Sequence, residues 1–257
     1  MKITILGTGS FYADKNRSGA AYLLEADGKK FLIDCGPGTL MRLSQIGVAP
    51  EDIDYVFLSH FHADHTSDLF AFQMRFRLNE FFGTKRNEKL PVIYGPNGIK
   101  RFTRKLSHAY QLYAFENWSE IRYETIGRKT KLGNVVVTAY RTKHVAFGVP
   151  AKVFSLRFEC EGKTFVFSGD SVKDAGVEKA SRKADLFICD TSYVKGRASA
   201  AHMDTLEIGE IAQANTVKKV VLTHFYPNTE GADLVSEVKE KFTGEVIRGE
   251  DLMELDV

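Results

Sequence analysis

Four residues able to hold a metal ion fall within six positions: His60, His62, Asp64 and His65, in the stretch Ser-His-Phe-His-Ala-Asp-His-Thr-Ser-Asp over 59–68. Imidazole and carboxylate are ligands that zinc and other first-row divalent ions accept. The spacing divides them. In an extended segment, residues two apart project to the same side, so His60 and His62 address one position while Asp64 and His65 turn toward a second. That pattern predicts two ions. A lone His-x-His is more often a chance cluster on a solvated loop, and it is the addition of Asp64 and His65 that turns the reading toward metal.

These groups need elements to hold them. The run Tyr-Val-Phe-Leu-Ser over 55–59 reads as a buried strand ending at the ligand loop, and a helix is expected from Thr66 onward. Helical patterns cover 38–47, 66–79, 98–115, 172–182, 205–215 and 232–242, with strands between them and Gly-containing turns at 25–29 and 160–163. The class is α+β. With 257 residues, 44% of them hydrophobic, and no low-complexity linker, one domain over 1–257 is expected.

A net charge of +2 gives little reason to expect an extended polyanion track, so nucleic acid is a possible but not a favoured partner. The first residues enter a strand at once, with no export signal, and no apolar run is long enough to cross a membrane; a cytoplasmic location is expected. Cys35, Cys160 and Cys189, odd in number and widely spaced, fit isolated buried thiols.

The His-x-His-x-Asp-His pattern resembles the metallo-β-lactamase superfamily of metal-dependent hydrolases. Ile-Leu-Gly-Thr-Gly-Ser over 5–10 and Phe-Leu-Ile-Asp-Cys-Gly over 31–36 extend the resemblance over nearly the whole chain. It implies a four-layer αββα sandwich with the site at one edge, between two sheets. It also implies three later ligands on loops after strands, and the chain supplies His144 after 134–140, Asp170 at the end of 164–170 and His224 at the end of 219–224. Carried over, His60, His62 and His144 hold one ion, Asp64, His65 and His224 the other, and Asp170 bridges them. Zinc suits this set, and manganese or iron also fit. Asp34 would sit behind the metals and steady the ligand loop. Two such ions can share a hydroxide that acts as the nucleophile.

Within the superfamily the chain resembles the ribonuclease Z branch, in altered form. Leu-Phe-Ile-Cys-Asp-Thr-Ser-Tyr over 186–193 stands where that branch has His-Glu-Ala-Thr, and Ala-His-Met-Asp over 201–204 where it has His-Ser-Thr. Asp190 then replaces a Glu, and His202 keeps an imidazole for the leaving group. His202, Asp190 and Asp64 are the expected catalytic side chains, whereas Asp204 reads as a helix cap. Transfer-RNA-processing members commonly carry a projecting arm between the equivalents of His144 and Asp170. The interval here, 26 positions (170 − 144), has no room for one.

A small arm-less relative acting on a small anionic phosphodiester is therefore expected. The alternatives are a lactonase or thioesterase on the same site, a ribonuclease Z-type transfer-RNA endonuclease, and a metal-containing binding or assembly protein. A homodimer is implied by the resemblance. The aromatic and basic residues over 70–118, among them Phe72, Phe76, Phe81, Phe82, Tyr110, Tyr113, Phe115, Trp118, Arg75, Arg77, Lys85, Arg86, Arg101 and Arg104, are either a pocket wall or a mixture of core and solvated face; the second reading is preferred. His108 reads as an ordinary histidine.

Overall fold

Strands rich in β-branched and aromatic residues are covered on both faces when they lie between another sheet and a layer of helices. The computed structural model, which describes residues 1–82, 90–112 and 121–257, shows that arrangement twice. The first half of the chain forms β1 (Lys2–Gly7), β2 (Ala21–Ala26), β3 (Lys29–Ile33), β4 (Tyr55–Phe57), β5 (Val92–Gly95) and β6 (Arg122–Thr125). There follow β7 (Lys129–Leu132), β8 (Val135–Thr142), the short β9 (Val145–Ala146) and β10 (Val149–Pro150), and β11 (Val153–Cys160). The last strands are β12 (Lys163–Phe167), β13 (Leu186–Asp190), β14 (Lys219–Thr223), β15 (Glu245–Arg248) and β16 (Glu254–Asp256). Two seven-stranded mixed sheets result, ordered β16-β1-β2-β3-β4-β5-β6 and β15-β14-β13-β12-β11-β8-β7.

The sheets face one another across an aromatic core. Tyr22 and Phe31, from the first sheet, meet Phe167 and Phe158 of the second at ring-centroid distances of 4.7 and 6.1 Å, and Phe57 meets Phe158 at 5.5 Å. Tilted and edge-on aromatic pairs of this kind give the inter-sheet contact both area and a defined geometry. On the outer faces, α1 (Thr39–Gln45), α2 (Leu69–Phe81) and α3 (Ile99–Ala109) cover the first sheet through Leu43, Leu69, Phe72 and Ile99. The second sheet is covered by α4 (Ala175–Ser181), α5 (Thr205–Ala214) and α6 (Leu234–Lys239), through Val177, Ile208, Ile211 and Val238. This is the expected four-layer αββα sandwich.

All six expected helices form; α5 starts at Thr205 as expected, and the other five start one to three residues later. The helix expected from Thr66 begins at Leu69, because a 3-10 turn over Ala63–His65 carries Asp64 and His65 first. The helix expected over 98–115 ends at Ala109, and 113–115 lie outside the described residues. Asp174, Asp204 and Asp233 cap α4, α5 and α6, each accepting backbone N–H groups of the first turn, as expected for Asp204. The interval from His144 to Asp170 holds only the β9–β10 hairpin and the antiparallel pair β11–β12, with no arm. The three cysteines are buried and unpaired. Among the described residues no helix is long and apolar enough to cross a membrane.

Candidate metal centre

The site lies where strand ends of both sheets meet. Asp34 follows β3 with a left-handed backbone (φ 56°), as does His224 after β14 (φ 61°). Such conformations are costly for residues with a Cβ and persist where the surroundings over-determine them. Asp34 is fully buried: Oδ1 accepts the Ser59 N–H at 2.7 Å, and Oδ2 accepts the Ser59 hydroxyl at 2.8 Å and His65 Nδ1–H at 2.7 Å. The ligand loop is pressed close to the chain after β3, and a Cβ on Gly36 would lie 2.1 Å from the Asp64 carbonyl oxygen.

Two groups of side chains converge here, His60 with His62, His144 and Asp170, and Asp64 with His65, Asp170 and His224; in each, one ligand atom per residue lies within 4.8 Å of the others. Asp170 belongs to both, and its oxygens divide between them. Oδ2 is 3.7 Å from His60 Nε2 and 3.9 Å from His144 Nε2, whereas Oδ1 is 3.1 Å from His65 Nε2 and 3.5 Å from His224 Nε2. The structure thus brings together all seven residues named from the sequence, in the two groups expected. A third group, Asp170, Asp190, His202 and His224, adjoins the second.

The donors fit divalent metal. His60 Nε2, His144 Nε2 and Asp64 Oδ1 are buried without a hydrogen-bond partner, a state that protein interiors rarely tolerate and that a cation relieves. The Nδ1 atoms are engaged elsewhere, at Ser59 Oγ for His60 (3.0 Å), the Ala201 carbonyl for His144 (2.7 Å) and Asp34 for His65, so that Nε2 faces inward. Electrostatics agree. Burial disfavours charge on His65 and His224, but the Asp170 carboxylate, with Asp64 and Asp34 for His65 and Asp190 and Asp64 for His224, outweighs it; His65 is raised well above the usual range and His224 to about 10. His60 is pushed well below it by burial and by the positive charge of His65. Burial alone would raise Asp170, yet His224, His65 and His60 hold it well below the usual carboxylate range. These carboxylates require positive charge.

His202 stands beside both groups, its ring 4.9 Å from that of His144 and 5.6 Å from that of His224. Its Nδ1–H donates to Asp190 Oδ2 at 2.6 Å, and Asp190 raises its pKa against the opposing effect of burial. The Tyr226 hydroxyl lies 3.4 Å from His202 Nε2, and the rings of Tyr12 and Tyr193 pack on Tyr226. Residue types and motifs did not single out Ser59, Ser192 or Tyr226; the available signal was their place next to His60 and two positions beyond Asp190 and His224.

The aromatic segment over 70–118 divides. Phe72 and Phe76 are buried in the core and touch edge-on, whereas Phe82 and Tyr110 are exposed. His108 is exposed. The side chains of Arg77 and Phe81, and all of Lys85, Arg86, Tyr113, Phe115 and Trp118, lie outside the described residues.

The family model of the anti-Pycsar protein Apyc1 matches residues 1–248. The chain belongs to the Apyc1 family. Relatives of this Apyc1-family chain include the ribonuclease Z of Methanosarcina acetivorans, 29% identical over 312 aligned positions that cover 100% of this chain and 98% of that one. The probable metallo-hydrolase YhfI of Bacillus subtilis is 28% identical over 249 positions, covering 96% of each. The crystal structure of the metallo-β-lactamase fold protein YhfI superposes with a TM-score of 0.84 at 25% identity, over 99% of this chain and 98% of that one. Human tRNase Z, short form, shares the fold, with a TM-score of 0.75 at 23% identity over 100% and 99% of the two chains. The Apyc1-family chain is thus a ribonuclease Z-like member of the metallo-β-lactamase superfamily and a metal-dependent hydrolase.

Proposed function

We propose that the protein is a binuclear phosphodiesterase in which Asp170 bridges two zinc ions, one on His60, His62 and His144 and the other on Asp64, His65 and His224. The observation that carries this reading is the division of the Asp170 carboxylate, Oδ2 toward His60 and His144 and Oδ1 toward His65 and His224. Bound divalent ions supply an acidified water and a clamp for phosphoryl oxygens. The chain's own residues do the rest. Asp190 fixes His202 Nδ1, so that Nε2, with the Tyr226 hydroxyl 3.4 Å away, is the nitrogen that delivers a proton to the departing oxygen. An ester whose leaving group departs as an alkoxide gains most from such an acid, and this favours a phosphodiester over a thioester, whose thiolate leaves unaided.

A small phosphodiester is preferred to precursor transfer RNA. The alignment with ribonuclease Z runs to 312 positions against 257 residues here, so that relative carries segments this chain lacks, whereas the alignment with YhfI runs to 249. The 145–169 interval holds two short hairpins and nothing that projects as an arm. Unpaired buried thiols support the cytoplasm as the compartment, and the resemblance to the branch implies a homodimer, which light scattering tests.

The deciding experiment compares kcat/KM for one zinc-loaded preparation on bis(4-nitrophenyl) phosphate, a precursor transfer RNA, a lactone and a thioester, with Asp170→Ala as control. Preference for the diester is expected. Preference for any of the other three overturns the substrate assignment, and full activity in the control overturns the metal assignment.

A further inference from the structure

Two buried Asp–Ser pairs flank the centre, built alike from unrelated parts of the chain. In one, Ser59 Oγ lies 3.0 Å from His60 Nδ1 and 2.8 Å from Asp34 Oδ2, and Asp34 Oδ2 also takes His65 Nδ1–H at 2.7 Å. In the other, Ser192 Oγ lies 3.0 Å from His224 Nδ1 and 2.6 Å from Asp190 Oδ1, and Asp190 Oδ2 takes His202 Nδ1–H at 2.6 Å. Each carboxylate therefore serves one imidazole directly and a second through a hydroxyl, and Asp190 Oδ1 also lies 3.3 Å from that second imidazole, His224. Ser59 and Ser192 are fully buried, with no solvent to replace a lost partner.

We propose that the two serines are positioning residues with divided duties: Ser59 sets His60 for the first cation and Ser192 sets His224 for the second. The proposal rests on the two-metal reading above. An imidazole that binds a cation through Nε2 carries its proton on Nδ1 and needs an acceptor there. A serine hydroxyl accepts that proton's hydrogen bond while donating its own to the carboxylate, and so fixes both the tautomer and the ring plane. His60 and His224 belong to different clusters, so losing either hydroxyl weakens one position and spares the other. His224 has a partial substitute in Asp190 Oδ1, 3.3 Å from its Nδ1; no such contact links His60 to Asp34, and Ser192→Ala is accordingly the milder change.

The test is zinc binding by competition with a chelating indicator on the full chain, together with anomalous diffraction from zinc-soaked crystals to identify the position that empties. Ser59→Ala is expected to weaken one of two binding steps by roughly 10–100-fold, with zinc lost beside His60, and Ser192→Ala to weaken the other step toward the low end of that range, with zinc lost beside His224. Ser192→Thr, which keeps the hydroxyl, restores the second step. Thermal melts of the metal-free variants establish that they fold, and Ser→Gly replaces Ser→Ala if either does not. Unchanged binding in both variants, or equal loss at both positions, overturns the proposal. Wild-type protein that takes up fewer than two zinc ions overturns the two-metal reading instead, and two-site binding without diester hydrolysis overturns only the substrate.

Discussion

The Nε2 atoms of His65 and His224 lie 3.3 Å apart, although 159 positions separate the two residues. Both are buried, and both have pKa values raised, against the effect of burial, by Asp170 and the neighbouring carboxylates, His224 to about 10. A histidine whose folded-state pKa exceeds its unfolded value of 6.5 contributes stability that is fully present below that value and is lost as pH rises through the folded pKa. The melting temperature of chelator-treated protein is therefore expected to fall between pH 7 and about 10. Zinc uptake over that window releases protons, measurable as a buffer-dependent enthalpy in calorimetry. A metal-free melting temperature that rises through this window contradicts the charge balance described.

Asp34→Ala should weaken both cations, because Asp34 orients His65 directly and His60 through Ser59. It also leaves the buried Ser59 N–H and His65 Nδ1 without an acceptor, at about 1–3 kcal/mol each. Urea unfolding of the metal-free variant and zinc titration measure the two effects separately.

His202→Ala is expected to lower kcat on a diester with a poor leaving group by roughly 10²–10⁴-fold while zinc content stays at the wild-type level. Asp190→Asn behaves differently. Asp190 touches His224 as well as His202, so this variant should lose turnover and weaken the second cation together. Elemental analysis beside single-turnover kinetics distinguishes the two patterns.

Gly36→Ala should disturb the second cluster with no change of polarity, since its Cβ would lie 2.1 Å from the carbonyl oxygen of Asp64. Reduced zinc stoichiometry is the readout, and a variant that binds two ions as tightly as the wild type would show that the loop relaxes freely.

Phe147→Asn should stabilise the protein. Phe147 and Gly148 form the two-residue loop of the β9–β10 hairpin, both at positive φ (52° and 76°), and the Phe side chain is 96% exposed. That turn favours Asn, and Phe there bears a strain of about 1 kcal/mol. A melting temperature at or below that of the wild type would contradict this.

The helices and strands were legible because their apolar faces repeat with clear periods, whereas the sandwich came from the family resemblance that the Gly-Thr-Gly, Ile-Asp-Cys-Gly and histidine segments carry. His60, His62, Asp64 and His65 could be named together because they are neighbours in the chain. The bridging place of Asp170 came from the family resemblance, and which of its oxygens serves which cluster could not be read from the sequence. Nor could the serines: Ser59 and Ser192 are ordinary residues whose roles arise only when Asp34 bends through a left-handed conformation and β13 and β14 run side by side in parallel. The start of α2 was misplaced for a related reason, because Asp64 and His65 occupy a 3-10 turn ahead of it.

Each cluster draws side chains from both sheets: the loop after β4 gives His60, His62, Asp64 and His65, and the loops after β8, β12 and β14 give His144, Asp170 and His224. A cation in either position is then a rivet through the seam of the sandwich. In the second position it closes a chain loop of 159 residues between His65 and His224, the kind of long-range crosslink that restrains an unfolded chain most. Demetallation should accordingly loosen this edge first, with hydrogen exchange quickening at the strand ends of the site while the Phe57–Phe158 contact in the middle of the sandwich stays closed.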